Sequence, residues 1–309
     1  MSVAAIDCGT NAVRLLVADV DADGVLHEHT RLMRIVRLGE GIDRTGEFAP
    51  AALDRTFTAL DEYARVIRRH GVTRIRFVAT SASRDARNRD EFVAGVEARL
   101  GVAPEVISGD EEAALSFVGA VRGLPDGLVV PPPLVVDIGG GSTEFVLGTV
   151  GPEHAISVDV GCVRMTERHL VGDPPTAEQV DATRADVATA VAAASRAVPF
   201  DQAGCFIGLA GTVTTVAAMA MDLPEYDESL LHGSVITMAQ VDEVTDRLLA
   251  MTRAERAALP FMHPGRVDVI AGGAMVLQEA MRAAGAPSVI VSETDILDGI
   301  VYRLAGDFA

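Results

Sequence analysis

The sequence contains no lysine; all 26 basic residues are arginine. A Walker-type phosphate loop, which ends in Gly-Lys-Ser/Thr, is therefore excluded. Cysteine is scarce. Cys8, Cys162 and Cys205 are odd in number and far apart, which argues against a disulfide frame or a zinc site and for reduced thiols in the cytoplasm. No uncharged apolar run reaches the roughly 18 residues that a membrane span needs. The opening MSVAAIDCGTNAVRLLVADV is apolar, but Asp7 and Arg14 interrupt it and no basic leader precedes it. It reads as a first strand, not a signal peptide. Positive charge is short overall, with a net charge of −18, which argues against a general nucleic-acid binder.

The negative charge is uneven. Residues 1–126 carry 16 Arg against 20 acids, and residues 127–309 carry 10 against 24. Within 65–99, nine Arg face four acids. That excess reads either as a solvated face with local ion pairs or as a track for a polyanion.

A repeat organises the chain. VAAIDCGTNAVRLLVADV and LVVDIGGGSTEFVLGTV share one plan: apolar strand, Asp-x-Gly, a small polar turn, and a second apolar strand. Asp7 and Gly9 match Asp137 and Gly139 at an offset of 130 residues. In the first half a third strand is predicted near 29–38, followed by a helix over about 51–69, a strand at 75–80, a helix near 90–100, a strand at 105–108 and a helix from Asp110. In the second half, strands are predicted near 154–160 and 205–209, and helices near 178–196, 239–250 and 267–284. The expected domains are 1–126 and 127–309, divided in the Gly- and Pro-rich loop Gly123–Pro133. A last helix, about 294–309, is expected to pack back on the first domain. The fold class is α/β, two duplicated domains facing each other across a cleft.

The glycines at 139–141 lead into another strand, FVLGTV, rather than into a helix. That disfavours a dinucleotide-binding loop. A glycine hairpin exposes successive backbone N–H groups and can cradle phosphate oxygens. Ser142 and Thr143 add hydroxyl donors. Asp7 and Asp137, at equivalent strand ends, suit a hard divalent cation such as Mg²⁺.

The segments DCGTN, TSASRDA, ISGDEEA, DIGGGSTE and GLAGTVTTVAAM follow one another in this order. Together they resemble the exopolyphosphatase and guanosine pentaphosphate phosphatase family, in its short two-domain form. That family belongs to the acetate kinase, sugar kinase, Hsp70 and actin superfamily, so the resemblance implies two ribonuclease H-like (actin-like ATPase) domains. It also implies Glu112 as the catalytic base and Glu144 as the second catalytic carboxylate, which positions metal or water. Arg84 and the turns Thr10–Asn11, Gly139, Gly140, Gly141, Ser142, Thr143 and Gly211–Thr212 are then phosphate-binding, and Asp7, Asp137 and Glu144 hold Mg²⁺ or Mn²⁺. Glu111 is the competitor for the role of base; register favours Glu112.

The expected activity is Mg²⁺-dependent release of terminal phosphate from inorganic polyphosphate, by water that Glu112 activates. Guanosine pentaphosphate is the alternative substrate, and guanosine penta- and tetraphosphate are expected partners as substrate or inhibitor. A sugar or acetate kinase and a non-catalytic alarmone sensor are the competing classes. A cytoplasmic homodimer, with no nucleic-acid or membrane partner, completes the expectation.

Overall fold

The computed structural model describes residues 2–306. They divide into two units: the chain up to Gly119 together with the chain from Ile296, and Ala120–Asp295. Among these residues no helix is long and apolar enough to cross a membrane.

The first unit is built on strands β1 (Val3–Cys8), β2 (Ala12–Val20), β3 (Leu26–Ile35), β4 (Arg74–Ala79) and β5 (Glu105–Val106), in the sheet order β3-β2-β1-β4-β5. β1 pairs antiparallel with β2 and parallel with β4. Every residue of β1 is buried, as a central strand covered on both faces requires. Its alternation sorts two cores. Ala4, Ile6 and Cys8 join Leu53, Leu60, Tyr63 and Ile67 of the helix Pro50–Arg69. Val3 and Ala5, with Leu16 and Ala18 of β2, join Ile296, Leu297, Ile300 and Val301 of the helix Ile296–Ala305. Asp7 alternates with Ile6 and Cys8, so it leaves the first of these cores.

The second unit repeats the plan with β6 (Pro133–Ile138), β7 (Thr143–Gly148), β8 (Pro152–Val158), β9 (Cys205–Leu209), β10 (Val235–Thr237) and β11 (Ser288–Ser292), in the order β10-β11-β9-β6-β7-β8. β6 pairs antiparallel with β7 and parallel with β9, as β1 does with β2 and β4. Two mixed sheets with flanking helices and one shared strand plan make an internally duplicated α/β fold. The helix Ile270–Ala284 is buried on almost every side. It packs Gly273 so close to Thr212 that a Cβ there would lie 2.5 Å from its Oγ1.

The long predicted helices and central strands stand close to their expected bounds. The sequence reading passed over several short pieces, among them the helix Cys162–His169 and the strands β10 and β11. Each is short, and the helix carries a polar face too brief to show a period.

Candidate active site

In the first unit, the turn between β1 and β2 closes with Gly9 N–H donating to Ala12 O at 2.9 Å. Gly39 N–H donates to Thr10 O at 2.9 Å, and Val36 and Arg37 N–H donate to Asn11 O. The turn is thus held through its carbonyls by the chain after β3. Thr10 is buried, and its Oγ1 has no hydrogen-bond partner among the described residues. Such an oxygen costs stability unless a ligand or water serves it.

Asp7 is buried and pairs across the hairpin with Arg14. Arg14 donates to Asp7 Oδ2 from Nε at 3.1 Å and from Nη2 at 2.6 Å.

Glu112 lies in the first turn of the helix Gly109–Gly123 and is 8% exposed. Arg84 Nη1 donates to Glu112 Oε2 at 2.7 Å and to Ile107 O at 3.1 Å. The expected base and the expected phosphate-binding arginine therefore meet directly. Glu111 faces elsewhere. It accepts from Arg76 Nη2 at 2.7 Å, with Arg303 Nη1 at 3.5 Å.

In the second unit, Asp137 and Glu144 are cross-strand partners flanking the glycine turn, 8% and 1% exposed. Ser157 Oγ donates to Glu144 Oε1 at 2.6 Å. The turn closes with Gly139 N–H donating to Ser142 O at 3.0 Å. Its other carbonyls are taken by the helix Cys162–His169. Cys162 N–H donates to Gly139 O, Val163 and Arg164 N–H donate to Gly140 O, and Arg164 Nε donates to Gly141 O at 2.8 Å. Among the described residues no backbone oxygen accepts from Gly140 or Gly141 N–H. A turn whose carbonyls point into a helix start while its amides stay unspent is suited to an anion. Thr143 is different: its Oγ1 donates to Val160 O at 2.5 Å and it is fully buried. Its hydroxyl is structural in this arrangement.

Gly211 and Thr212 open the helix Ala210–Ala220, where Ala210 holds a left-handed φ of +68°. Arg266 lies across this turn. A Cβ on Gly211 would sit 2.5 Å from Arg266 Nε. Arg266 Nη1 donates to Thr215 Oγ1 at 3.0 Å.

The donor chemistry fits a hard cation in the second unit, where Asp137 and Glu144 offer carboxylate oxygens side by side. Asp7 fits less well, because Arg14 already compensates its charge. Among the described residues no group of three or more His, Cys, Asp or Glu is arranged to hold a metal.

The arginine-rich stretch is not a continuous track. Arg76 pairs with Glu105 and Glu111, Arg84 with Glu112, Arg87 with Glu47 and Arg99 with Asp61, while Arg74 donates to Leu304 O. The local excess is largely committed to neighbouring acids and carbonyls, as a solvated face with ion pairs requires. Burial pushes Cys162 up to about 11 and raises Cys8 well above the ordinary thiol value.

Sequence reasoning missed Arg14 as the partner of Asp7, Arg164 as the clamp on Gly141, and Arg266. Arg266 stands in the segment FMHPGR, which also holds His263. His263 Nδ1 accepts from Gly265 N–H at 3.1 Å and shapes the approach to Arg266.

The profile of the Ppx/GppA phosphatase family matches residues 16–308. Exopolyphosphatase 2 of Mycobacterium tuberculosis is 51% identical over 316 residues, covering 98% of each chain. The solved structure of an exopolyphosphatase-like protein superposes with a TM-score of 0.95 at 44% identity over 99% of each chain. The Ppx/GppA family member of Aquifex aeolicus superposes with a TM-score of 0.81 at 29% identity, covering 100% of this chain and 99% of that one.

Proposed function

This chain belongs to the Ppx/GppA phosphatase family, and from that premise we propose that it is an exopolyphosphatase, a phosphoanhydride hydrolase acting on the ends of inorganic polyphosphate. The observation that carries the reading is the end-to-end match to Exopolyphosphatase 2. Glu112 is the base. It orients a water and takes its proton as the oxygen attacks the terminal phosphorus. Arg84, hydrogen-bonded to Glu112, holds that carboxyl in place and offers its remaining N–H groups to the phosphate. The amides of Gly140 and Gly141, together with the hydroxyls of Thr10 and Ser142, bind phosphate oxygens, as do Asn11 and the Gly211–Thr212 turn. Thr143 supports its turn from behind through Val160.

Asp137 and Glu144 are the proposed holders of Mg²⁺, or of Mn²⁺ in its place. A bound cation neutralises charge on the polyanion. Ser157 fixes the orientation of Glu144. Asp7 joins the ligand set only if Arg14 yields Oδ2. The expected cytoplasmic homodimer remains part of this proposal.

Phosphate release from purified protein tests the reading, with polyphosphates of several lengths, guanosine pentaphosphate and ATP as parallel substrates, with Mg²⁺ and with excess chelator. Release from polyphosphate that chelator abolishes is expected. Faster release from guanosine pentaphosphate would move the assignment to the alternative substrate, and full activity in chelator would remove the cation from it.

A further inference from the structure

One cluster of ionisable groups in the second unit is not used by this mechanism. Tyr226 places its hydroxyl 2.7 Å from Glu293 Oε1 and 2.6 Å from Thr214 Oγ1. The same ring lies beneath the Arg266 guanidinium, 5.6 Å from its centroid. Thr214 and Thr215 stand one turn inside the helix that Gly211 opens, and Thr215 accepts from Arg266. A single line of contacts therefore runs from Glu293 through Tyr226 to Arg266 and the Gly211 turn. We infer that Tyr226 and Glu293 are positioning residues. They hold Arg266 across the Gly211 turn, so that the turn's affinity for a phosphate group follows the charge of Glu293. The inference rests on the hydrolase reading given above.

The charge can change near neutrality. Burial, above all, raises Glu293 to about 7, and Glu228 and Asp295 add to the rise against the opposing pull of the Tyr226 hydrogen bond and Arg266. His232 faces it too, its Nδ1 accepting Glu293's own N–H at 3.2 Å. When Glu293 is neutral it can donate to Tyr226, whose proton then goes to Thr214. When it is ionised it accepts the hydrogen bond that the Tyr226 hydroxyl donates. The neutral state leaves the Arg266 charge free for a phosphate. The ionised state offsets it and adds a like charge near the polyanion. Affinity should therefore fall as pH rises through neutrality.

The test is calorimetric titration with inorganic tripolyphosphate, using Glu112→Gln protein to suppress turnover and Glu112→Gln/Glu293→Gln as its partner. Ionisation of the ligand is common to both proteins, so their difference isolates Glu293. Between about pH 6 and about pH 8 the affinity of the first should fall roughly three- to tenfold more than that of the second, since one pKa unit of coupling is tenfold. Tyr226→Phe keeps the ring and breaks the relay. In the Glu112→Gln background Glu293 and its charge remain, so the fall in affinity should persist but move to higher pH, because the Tyr226 hydrogen bond that lowers the carboxyl is gone, while the low-pH affinity is kept. Tyr226→Leu removes the platform and should weaken binding at both pH values. Equal pH dependence in all these proteins would overturn the inference. If Glu293→Gln does not fold, the move of that fall to higher pH in Tyr226→Phe decides alone. Failure to release phosphate from polyphosphate, with the pH-dependent binding intact, would overturn the hydrolase reading and leave this one standing.

Discussion

Neighbouring carboxylates Glu111 and Glu112 start one helix, and their environments differ. Glu111 is held by Arg76 and Arg303, while Glu112 is buried against Arg84. Glu112→Gln keeps shape and hydrogen bonding but cannot take a proton. Phosphate release should fall by about 10²–10⁴, the usual cost of losing a general base, while Glu111→Gln changes turnover by only a few fold. Parallel rate measurements on the two variants check this, and similar losses would mean the base is misassigned. The preference for Glu112 over Glu111 came from the register of the motif that the chain shares with its family. The pairing of Glu112 with Arg84 was not legible in the sequence, because the two are 28 positions apart and meet only after β4 and β5 align. The same limit hid Arg14, whose partner is set by hairpin register. Glu293 carries a stability consequence. Its native pKa, about 7, lies above the ordinary glutamate value, so the native state binds the proton more tightly than the unfolded chain does. Its contribution is full below about pH 4.5 and is lost as pH rises through about 7. The loss is at most about 3 kcal/mol, less because the group is partly exposed. Thermal melts should therefore show wild type losing stability over this window relative to Glu293→Gln. Parallel curves would refute the shifted carboxyl.

At the scale of elements, the glycine turn is a joint product of a hairpin and a short helix. The hairpin was readable from Asp-x-Gly between two apolar strands. The helix Cys162–His169 was not, although its first-turn N–H groups and Arg164 bind the turn's carbonyls. Eight residues with one polar face give too short a period to read. Gly161 is where the two pieces touch. A Cβ there would lie 2.5 Å from Gly140 O and 2.7 Å from Gly141 N. These are backbone atoms, so the turn itself must move. Gly161→Ala should cost about 1–3 kcal/mol through overpacking, and it should raise the apparent KM for polyphosphate because the displaced amides no longer converge. Chemical denaturation and substrate titration together check it. Unaltered KM in a destabilised protein would mean that the turn does not bind the substrate.

For the whole molecule, chain order and spatial order differ at one end. The chain leaves the first unit near Gly119, builds the second, and returns at Ile296. The returning helix is part of the first unit's core. It also brings Asp298, whose carboxylate accepts from Arg31 of β3 at 2.7 Å. Ile296, Leu297, Ile300 and Val301 are each 2% exposed or less and cover the face of β1 and β2 that the helix Pro50–Arg69 leaves open. Burying one such side chain is worth roughly 1.5–3 kcal/mol, so the four together contribute about 6–12 kcal/mol. Whole domains are stable by only about 5–15 kcal/mol. A chain ending at Asp295 should therefore lose the first unit's cooperative unfolding while the second, whose core contains none of these residues, keeps its own. Hydrogen exchange resolves the two. Protection should vanish from β1, β2 and β4 and persist in β6, β9 and the helix Ile270–Ala284. Leu297→Ala is the milder form, expected to destabilise the first unit by about 2–5 kcal/mol without touching the second. Uniform loss of protection in both units would show that their stabilities are not separable. Retained protection in β1 would show that one face of that sheet can stand uncovered. Since Glu112 and Arg84 both belong to the unit that the returning helix completes, phosphate release should disappear with it, even though the residues at the chain's end carry no chemistry of their own.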